Sequence, residues 1–302
     1  MSKPELKDRI KEGGFLLDGA MGTQLFARGV EPGTCNDALN VESPDVVRAI
    51  HQAYREAGSD AVITNTFGAN RYALARHGHA EQVREINRAG AEIAREAVGD
   101  GGYVLGDVGP TGDFLQPLGN LRPDELREAF VEQAQSLLDG GVDGFIVETM
   151  TALDELEVAV EAVTSVAGEL PVFASMSFDK GGAGFRTMMG VDVASAVAKM
   201  VSLGVTGVGF NCGTASLAEY VELAQQYAAA VQSGGQDVIL LAEPNAGKPE
   251  LVDGQAVYRV TPEEFAAAIE KIAAAGFRVV GGCCGTAPAY IEAVARGLRQ
   301  SR

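Results

Sequence analysis

The chain contains four cysteines, and their chemistry is the strongest signal in the sequence: Cys35, Cys212, Cys283 and Cys284. Thiolates prefer zinc and other soft metals to magnesium. A catalytic zinc site typically has three protein ligands and one exchangeable position. Glycines on both sides of the adjacent pair allow backbone angles at which both sulfur atoms can face one ion. We therefore predict that Cys212, Cys283 and Cys284 bind one Zn²⁺.

Two other roles for these cysteines stay open at this point. Cys283 and Cys284 could form a redox pair, although such pairs normally use a Cys-x-x-Cys spacing. Free cysteines also behave as small buried apolar side chains. That interpretation is the one we favour for Cys35, which falls in the first loop, apart from the other three.

A zinc ion held by three thiolates carries surplus negative charge. Such a site is a poor activator of water, but it suits a substrate thiol, because coordination to a metal removes the thiol proton. The thiolate is the nucleophilic form of sulfur, and an alkyl thiol is mostly protonated at neutral pH. The predicted site would therefore supply a sulfur nucleophile for the transfer of an alkyl group.

Eight short apolar runs, each followed by a helical stretch, carry these residues. The runs are continuous rather than alternating, which is typical of strands buried on both faces. We predict strands at residues 15–17, 61–66, 103–107, 145–148, 172–178, 205–211, 238–243 and 277–281. Eight such units indicate an α/β fold, the (β/α)8 TIM barrel, with residues 1–302 as a single domain. An open doubly wound sheet is the alternative, but the segment DGAMGT after the first run lacks the GxGxxG pattern of that fold.

The carboxyl ends of the predicted strands carry the unusual residues, and in a barrel the active site lies there. Cys212 ends the sixth strand and the adjacent pair follows the eighth, so these residues flank the seventh strand and can approach one another. Polar side chains also stand at or just beyond strand ends: Asp18, Asp107, Glu148, Glu243 and Asn245. Asp107 and Glu243 could equally satisfy structural partners. We expect the three histidines to be solvated surface residues: His51, His77 and His79.

Charge and composition exclude several classes of partner. The 302 residues include 24 Lys and Arg against 41 Asp and Glu, which gives a net charge of −17. Such a surface is unsuited to nucleic acid and to anionic membranes. No apolar run approaches the roughly 20 residues that span a bilayer, and the charged N-terminus lacks the apolar core of a signal peptide. We therefore expect a cytoplasmic protein.

Seven segments, taken in order, resemble the homocysteine S-methyltransferase family. They are DGAMGT at 18–23, TNTF at 64–67, GDVGPTG at 106–112, VET at 147–149, NC at 211–212, EPNAG at 243–247 and GGCCGT at 281–286. The resemblance runs from about Leu16 to the final helix, and GGCCGT with the upstream NC is its most specific part. GDVGPTG and EPNAGKP are most similar to the homocysteine-binding module of cobalamin-dependent methionine synthase.

The resemblance implies a (β/α)8 barrel that binds homocysteine as a zinc thiolate and methylates it to methionine. It implies Cys212, Cys283 and Cys284 as the zinc ligands. Asp18 and Glu148 match the family's acceptors for the amino group of homocysteine. Asn245 matches an asparagine that occupies the open zinc position in the absence of substrate, and backbone N–H groups near the first glycine-rich loop would hold the carboxylate.

The methyl donor implied by the resemblance is a methylcorrinoid or a methylfolate-linked protein or module. The chain itself lacks the Asp-x-His-x-x-Gly signature of a cobalamin module. Two alternatives stay open. The chain could use S-methylmethionine or betaine, or it could be a substrate-binding module that presents homocysteine to separate methyl-donor domains.

Overall fold

The computed structural model describes residues 3–235, 237–252 and 255–300. Within them the strands are β1 Phe15–Leu16, β2 Ala61–Ile63, β3 Tyr103–Val108, β4 Gly144–Met150, β5 Val172–Met176, β6 Asp179–Gly181, β7 Gly184–Arg186, β8 Gly207–Cys212, β9 Ile239–Pro244, β10 Glu250–Val252, β11 Gln255–Val257 and β12 Phe277–Val280. Eight of them form one sheet in the order β1-β12-β9-β8-β5-β4-β3-β2, and every pair in it is parallel. The predicted (β/α)8 barrel is confirmed, and all eight predicted strands are present.

Helices follow each barrel strand along the chain. In the described residues they are α1 Leu6–Lys11, α2 Met21–Ala27, α3 Leu39–Glu42, α4 Pro44–Glu56, α5 Arg71–Ala75, α6 Val83–Val98, α7 Pro123–Asp139, α8 Leu153–Ala167, α9 Val193–Ser202, α10 Leu217–Gly234, α11 Pro262–Ala274 and α12 Pro288–Gln300, with a 3₁₀ turn at Ala80–Gln82. Two antiparallel hairpins, β6–β7 and β10–β11, extend the loops after β5 and β9. None of the helices in these residues is long and apolar enough to cross a membrane.

Alternate residues of the barrel strands fill the inside of the barrel. The inner cluster contains Phe15, Leu17, Ala61, Tyr103, Leu105, Ile146, Phe173, Leu241 and Val279. The residues between them pack outwards against the helices, which explains why the strands read as continuous apolar runs. Leu6 and Ile10 of α1 belong to the inner cluster, so this short helix closes the amino-terminal end of the barrel.

The inward-facing positions become polar at the carboxyl ends of the strands. Successive side chains of a strand point to opposite faces, so a residue two positions further on continues the same row. Asp107 therefore continues the row of Leu105 on β3, and Glu243 continues that of Leu241 on β9. The strand period thus places carboxylates at the mouth of the barrel.

The seam between β1 and β2 is closed mainly by aspartates. These two strands stand at opposite ends of the sheet order, and no strand pairing joins them among the described residues. The Leu16 N–H donates to the Asp60 carboxylate at 2.9 Å, and the Asp60 N–H donates to the Leu16 carbonyl at 2.6 Å. Nearer the mouth, the Ile63 N–H donates to Asp18 Oδ2 at 3.1 Å. Asp18 is therefore part of the barrel wall.

We expect Asp60→Ala to lower the free energy of unfolding by about 1–3 kcal/mol, because it leaves the buried Leu16 N–H without an acceptor. Asp60→Asn keeps an amide oxygen for that N–H but loses the charge and the acceptor opposite Arg9, so it should destabilise less than Asp60→Ala. Urea titrations of the three proteins measure both effects. Equal stability of the alanine variant and the unsubstituted chain would contradict this account of the seam.

Candidate active site

Three cysteine sulfur atoms lie together at the mouth of the barrel. Cys212 ends β8, and Cys283 and Cys284 follow β12, on either side of β9. The Sγ atoms of Cys212 and Cys284 are 3.8 Å apart, those of Cys283 and Cys284 are 4.0 Å apart, and all three lie within 4.8 Å of one another. A tetrahedral zinc with Zn–S bonds of about 2.3 Å separates its sulfur ligands by roughly 3.8 Å. The spacing of the three sulfur atoms fits a single zinc ion.

The backbone around the cysteine pair is fixed by neighbouring loops. The Cys283 N–H donates to the Pro244 carbonyl, and the Ala246 N–H donates to the Cys284 carbonyl, both at 2.9 Å. Gly282 has no room for a side chain, since a Cβ there would lie 2.7 Å from Thr286. Gly285 has a φ of 81°, and its Cβ would lie 2.2 Å from the ring of Tyr258. The glycines therefore serve close packing as well as backbone freedom.

The three thiols share protons. Hydrogen bonds from Cys212 and Cys283 lower the pKa of the Cys284 thiol to about 3. The hydrogen bonds of Cys283 with its two neighbours, followed by burial, raise the pKa of Cys283 well above its ordinary value. Cys284 is therefore the thiol of the cluster that loses its proton most readily, and a divalent cation would neutralise the resulting charge.

Four carboxyl groups occupy the same mouth: Asp18, Asp107, Glu148 and Glu243. Burial raises the pKa of Asp18, of Asp107 and of Glu243 well above the ordinary values. Burial, with Cys212 as a second cause, raises the pKa of Glu148 to about 8. Oδ1 of Asp107 and Oε2 of Glu243 are buried and have no hydrogen-bond partner. Such a mouth attracts a cationic group, which would relieve the repulsion among the carboxylates.

Asn245 lies beside the cysteine cluster. Its Nδ2 donates to the carbonyl of Gly213, the residue after Cys212, at 2.5 Å. The side chain is 2% exposed, and its Oδ1 is buried with no hydrogen-bond partner. The amide oxygen of Asn245 is thus left without a hydrogen-bond partner, in a loop that is itself hydrogen-bonded to Cys284.

Comparison with known proteins identifies the family of this chain. The family model described as homocysteine S-methyltransferase matches residues 15–298. This chain belongs to the homocysteine S-methyltransferase family. Its relatives include the proteins named methionine synthase from Mycobacterium tuberculosis, 38% identical over 97% of this chain, and from Mycobacterium leprae, 37% identical over 97%. The chain spans 25% of the length of each of these two relatives.

Solved structures of the family superpose on this barrel. The homocysteine methyltransferase MmuM from Escherichia coli in its oxidized form matches with a TM-score of 0.76 and 26% identity, over 97% of this chain and 98% of that one. The metallated form of the same protein gives a TM-score of 0.78 at 24% identity, over 97% and 100% of the two chains. The structural similarity to these two structures thus covers nearly the whole chain.

In this homocysteine S-methyltransferase family member, hydrogen bonds join the loop after β1 to the loop after β12. Thr286 Oγ1 accepts from the Ala20 N–H at 3.0 Å and donates to the Cys283 carbonyl at 2.7 Å. Thr23 Oγ1 accepts from the Gly285 N–H at 3.0 Å. Both threonines fall in segments that carry the family resemblance, DGAMGT and GGCCGT, but the sequence does not indicate their partners, which are about 260 residues away.

The expectation of a solvated His51 is wrong, while His77 is exposed as expected. His51 is fully buried, because it belongs to the inward stripe of α4 together with Val47, Ile50 and Tyr54. Its Nδ1 lies 3.9 Å from Asp18 Oδ2, and neither ring nitrogen has a hydrogen-bond partner. Burial lowers the pKa of His51 to about 4, so the ring is neutral at physiological pH.

Cys35 lies apart from the other cysteines, as expected. It is 9% exposed and packs in a separate apolar cluster with Ala38, Ala69 and Leu74. Among the described residues, the cluster of side chains spaced to hold a metal ion consists of the other three cysteines and does not include Cys35. Cys35 is thus a buried apolar side chain, and it offers a matched control for substitutions in the cluster.

We expect the neutral His51 to make stability depend on pH. The unfolded chain takes up a proton near pH 6.5, whereas the folded chain does so only near pH 4, so stability is lost as the pH falls through this range. The loss amounts to about 3 kcal/mol at pH 4. Relative to His51→Gln, the unsubstituted protein should therefore lose about that much more unfolding free energy between pH 7 and pH 4.

Urea titrations across this pH range test the effect of His51. The substitution His77→Gln, at an exposed position, is the matched control. A His51→Gln variant whose stability follows the unsubstituted protein at every pH would show that the folded state does not hold this ring neutral.

Proposed function

We propose that this chain is a zinc-dependent S-methyltransferase that methylates homocysteine to methionine. The observation that carries the proposal is the set of three Sγ atoms within 4.8 Å of one another at the barrel mouth. Cys212, Cys283 and Cys284 would hold the zinc. The unpartnered Oδ1 of Asn245 would be the fourth zinc ligand when substrate is absent. Bound zinc would lower the pKa of the substrate thiol, so that the sulfur is a thiolate near neutral pH.

Asp18 and Glu148 would bind the amino group of homocysteine. Two carboxylates that converge on an ammonium group form charge-assisted hydrogen bonds, which are stronger than neutral ones. Asp18 Oδ2 already accepts from the Ile63 N–H, so its other oxygen is the one available to substrate. Backbone N–H groups of the loop at 18–23 would hold the substrate carboxylate.

The reaction is a nucleophilic substitution at the methyl carbon. The substrate releases its thiol proton to water on binding, and its sulfur attacks the methyl group from the side opposite the donor. The new S–C bond forms as the methyl–donor bond breaks, and the electron pair of that bond stays with the donor. The residues around the site fix the amino acid, so that the sulfur points out of the barrel mouth towards the incoming methyl group.

The exposed side chains at the rim of the barrel favour a methyl donor that is a corrinoid or folate-linked protein. The large apolar side chains that are exposed all lie after the carboxyl ends of strands, in the described part of the chain: Phe26, Phe67, Phe114, Leu118, Met188, Leu251 and Val252. We take the location of these side chains at one end of the barrel as support for a surface that binds another protein. The two methionine synthases are four times as long as their matched segment, which leaves room for donor domains there.

We expect Cys212→Ala, Cys283→Ala and Cys284→Ala each to lose zinc and methyl transfer, because two thiolates are one fewer than the three protein ligands of a catalytic zinc site. Cys35→Ala should keep both, since Cys35 packs elsewhere. Zinc content by mass spectrometry and methionine formation from homocysteine measure the two outcomes. Full zinc retention with normal turnover in any one of the three cluster variants would refute the proposed site.

The donor is identified by running the same assay with four methyl compounds. They are methylcobalamin, a methylated corrinoid protein, S-methylmethionine and betaine. Turnover with the corrinoid donors alone supports the proposal, and turnover with either small donor alone selects the alternative activity. Tight binding of homocysteine without turnover from any donor would make the chain a substrate-binding module that needs other domains.

We expect Asp18→Asn and Glu148→Gln to weaken homocysteine binding by about 10- to 100-fold while zinc content stays unchanged. Each substitution keeps the size of the side chain and removes the charge opposite the substrate ammonium. Asparagine at position 18 can still accept from the Ile63 N–H, so the barrel seam is retained. Calorimetric titration with homocysteine measures the effect, and an unchanged dissociation constant in both variants would contradict the role.

A further inference from the structure

Asn211 is a buried residue whose side chain joins three strands. It lies near the end of β8, immediately before Cys212, and is 1% exposed. Its Nδ2 donates to Thr149 Oγ1 at 2.6 Å, and its Oδ1 accepts from the Thr149 N–H and from Ser175 Oγ, both at 2.8 Å. The amide of Asn211 therefore connects β8 to β4 and β5.

Two backbone positions beside these bonds are strained. Among the described residues, the non-glycine residues with left-handed backbone angles are Thr149, with φ 58°, and Cys212, with φ 55°. The left-handed region is unfavourable for residues with a Cβ, and especially for β-branched threonine. Such strain persists only where surrounding contacts enforce it.

The strained residues lie at both proposed parts of the site, the ammonium-binding part and the zinc-binding part. Thr149 follows Glu148, which is the proposed acceptor for the substrate ammonium, and Cys212 is a proposed zinc ligand. The backbone N–H and the hydroxyl of Thr149 are both bonded to the Asn211 side chain, so Asn211 holds the turn that follows Glu148. Asn211 is also covalently bonded to Cys212, so a shift of one residue moves the other.

Contacts on the far side of Cys212 complete this arrangement. The Tyr220 hydroxyl donates to the Cys212 carbonyl at 2.7 Å, and Cys212 pairs with Pro244 in the register of β8 and β9. Cys212 is thus fixed from the outside by α10 and from the inside by Asn211. Any freedom in the Asn211 side chain would be transmitted to the Thr149 turn.

We propose that Asn211 is a positioning residue that sets the zinc-binding Cys212 and the ammonium-binding Glu148 relative to each other. This inference rests on the proposed function. Asn211 is not among the residues proposed to bind zinc or substrate, and it acts through the strained backbone at Thr149 and Cys212. Loss of its amide would let both turns relax, so a single substitution would weaken two binding sites at once.

The central test is Asn211→Ala, with Thr149→Val as a milder variant that removes only the bond to Oγ1. We expect each to weaken zinc affinity, measured by competition with a chromophoric chelator. We expect each to weaken homocysteine affinity, measured by calorimetry on zinc-loaded protein. The expected loss for Asn211→Ala is about 10-fold or more at each site, the usual size for a residue that supports a metal ligand. All measurements are made well below the thermal midpoint of the variant.

Two further variants separate positioning from general stability. Ser175→Ala removes a buried hydrogen bond to the same Asn211 oxygen but leaves both bonds to Thr149, so it should lower the thermal midpoint while zinc and homocysteine affinities stay near those of the unsubstituted chain. Thr149→Ser keeps the hydroxyl and should restore both affinities lost in Thr149→Val. Absorption of bound Co²⁺ in the near ultraviolet, which reports thiolate ligation, gives a spectroscopic check on Cys212.

The outcomes distinguish this inference from the proposed function. An unsubstituted chain that binds neither zinc nor homocysteine overturns the proposed function. If the unsubstituted chain binds both, and Asn211→Ala and Thr149→Val match Ser175→Ala in both affinities and in the Co²⁺ spectrum, the Asn211 bonds are only structural and the inference is wrong. If Asn211→Ala does not fold, Thr149→Val and its serine rescue decide the question.

Discussion

Three thiols and four carboxyl groups share the mouth of this barrel, and no lysine or arginine pairs with any of them among the described residues. Burial raises the pKa of each carboxyl group, and the negative charge of neighbouring groups raises it further. Full ionisation of these groups therefore requires positive charge that no described lysine or arginine supplies. A dication at the sulfur atoms and an ammonium group at the carboxylates would meet that need together, and the hydrogen bonds between loops hold the negative groups close despite their repulsion.

The positions of the strands could be predicted from the sequence because both faces of each strand are buried. A continuous apolar run and the polar residue that ends it are local features, so the eight strands and the three clustered cysteines followed from them. The proximity of Cys212 to Cys283 and Cys284 could be predicted from the order of strands in a barrel alone. The roles of Asp107 and Glu243 could not be predicted in this way, because a buried carboxylate without a partner looks the same in sequence as one that has found a partner.

The features that the sequence did not reveal depend on contacts between distant segments. Thr286 bonds to Ala20, and Asn211 bonds to Thr149, but neither pair has a local pattern that names its partner. His51 is different, because its helix carries a readable inward stripe. The apolar residues at 47, 50 and 54 place position 51 on the same face, and a stricter use of the helical period would have predicted its burial.

Asp18 illustrates a limit on how such a pocket can be changed. One of its oxygens closes the wall between β1 and β2 through the Ile63 N–H, and only the other is open to the mouth. A protein engineer who wished to retarget the barrel to an amino acid without a positive charge could not simply replace Asp18 by an apolar residue. The wall would lose an acceptor at the same step, so the new specificity would require a second change that reinforces the seam.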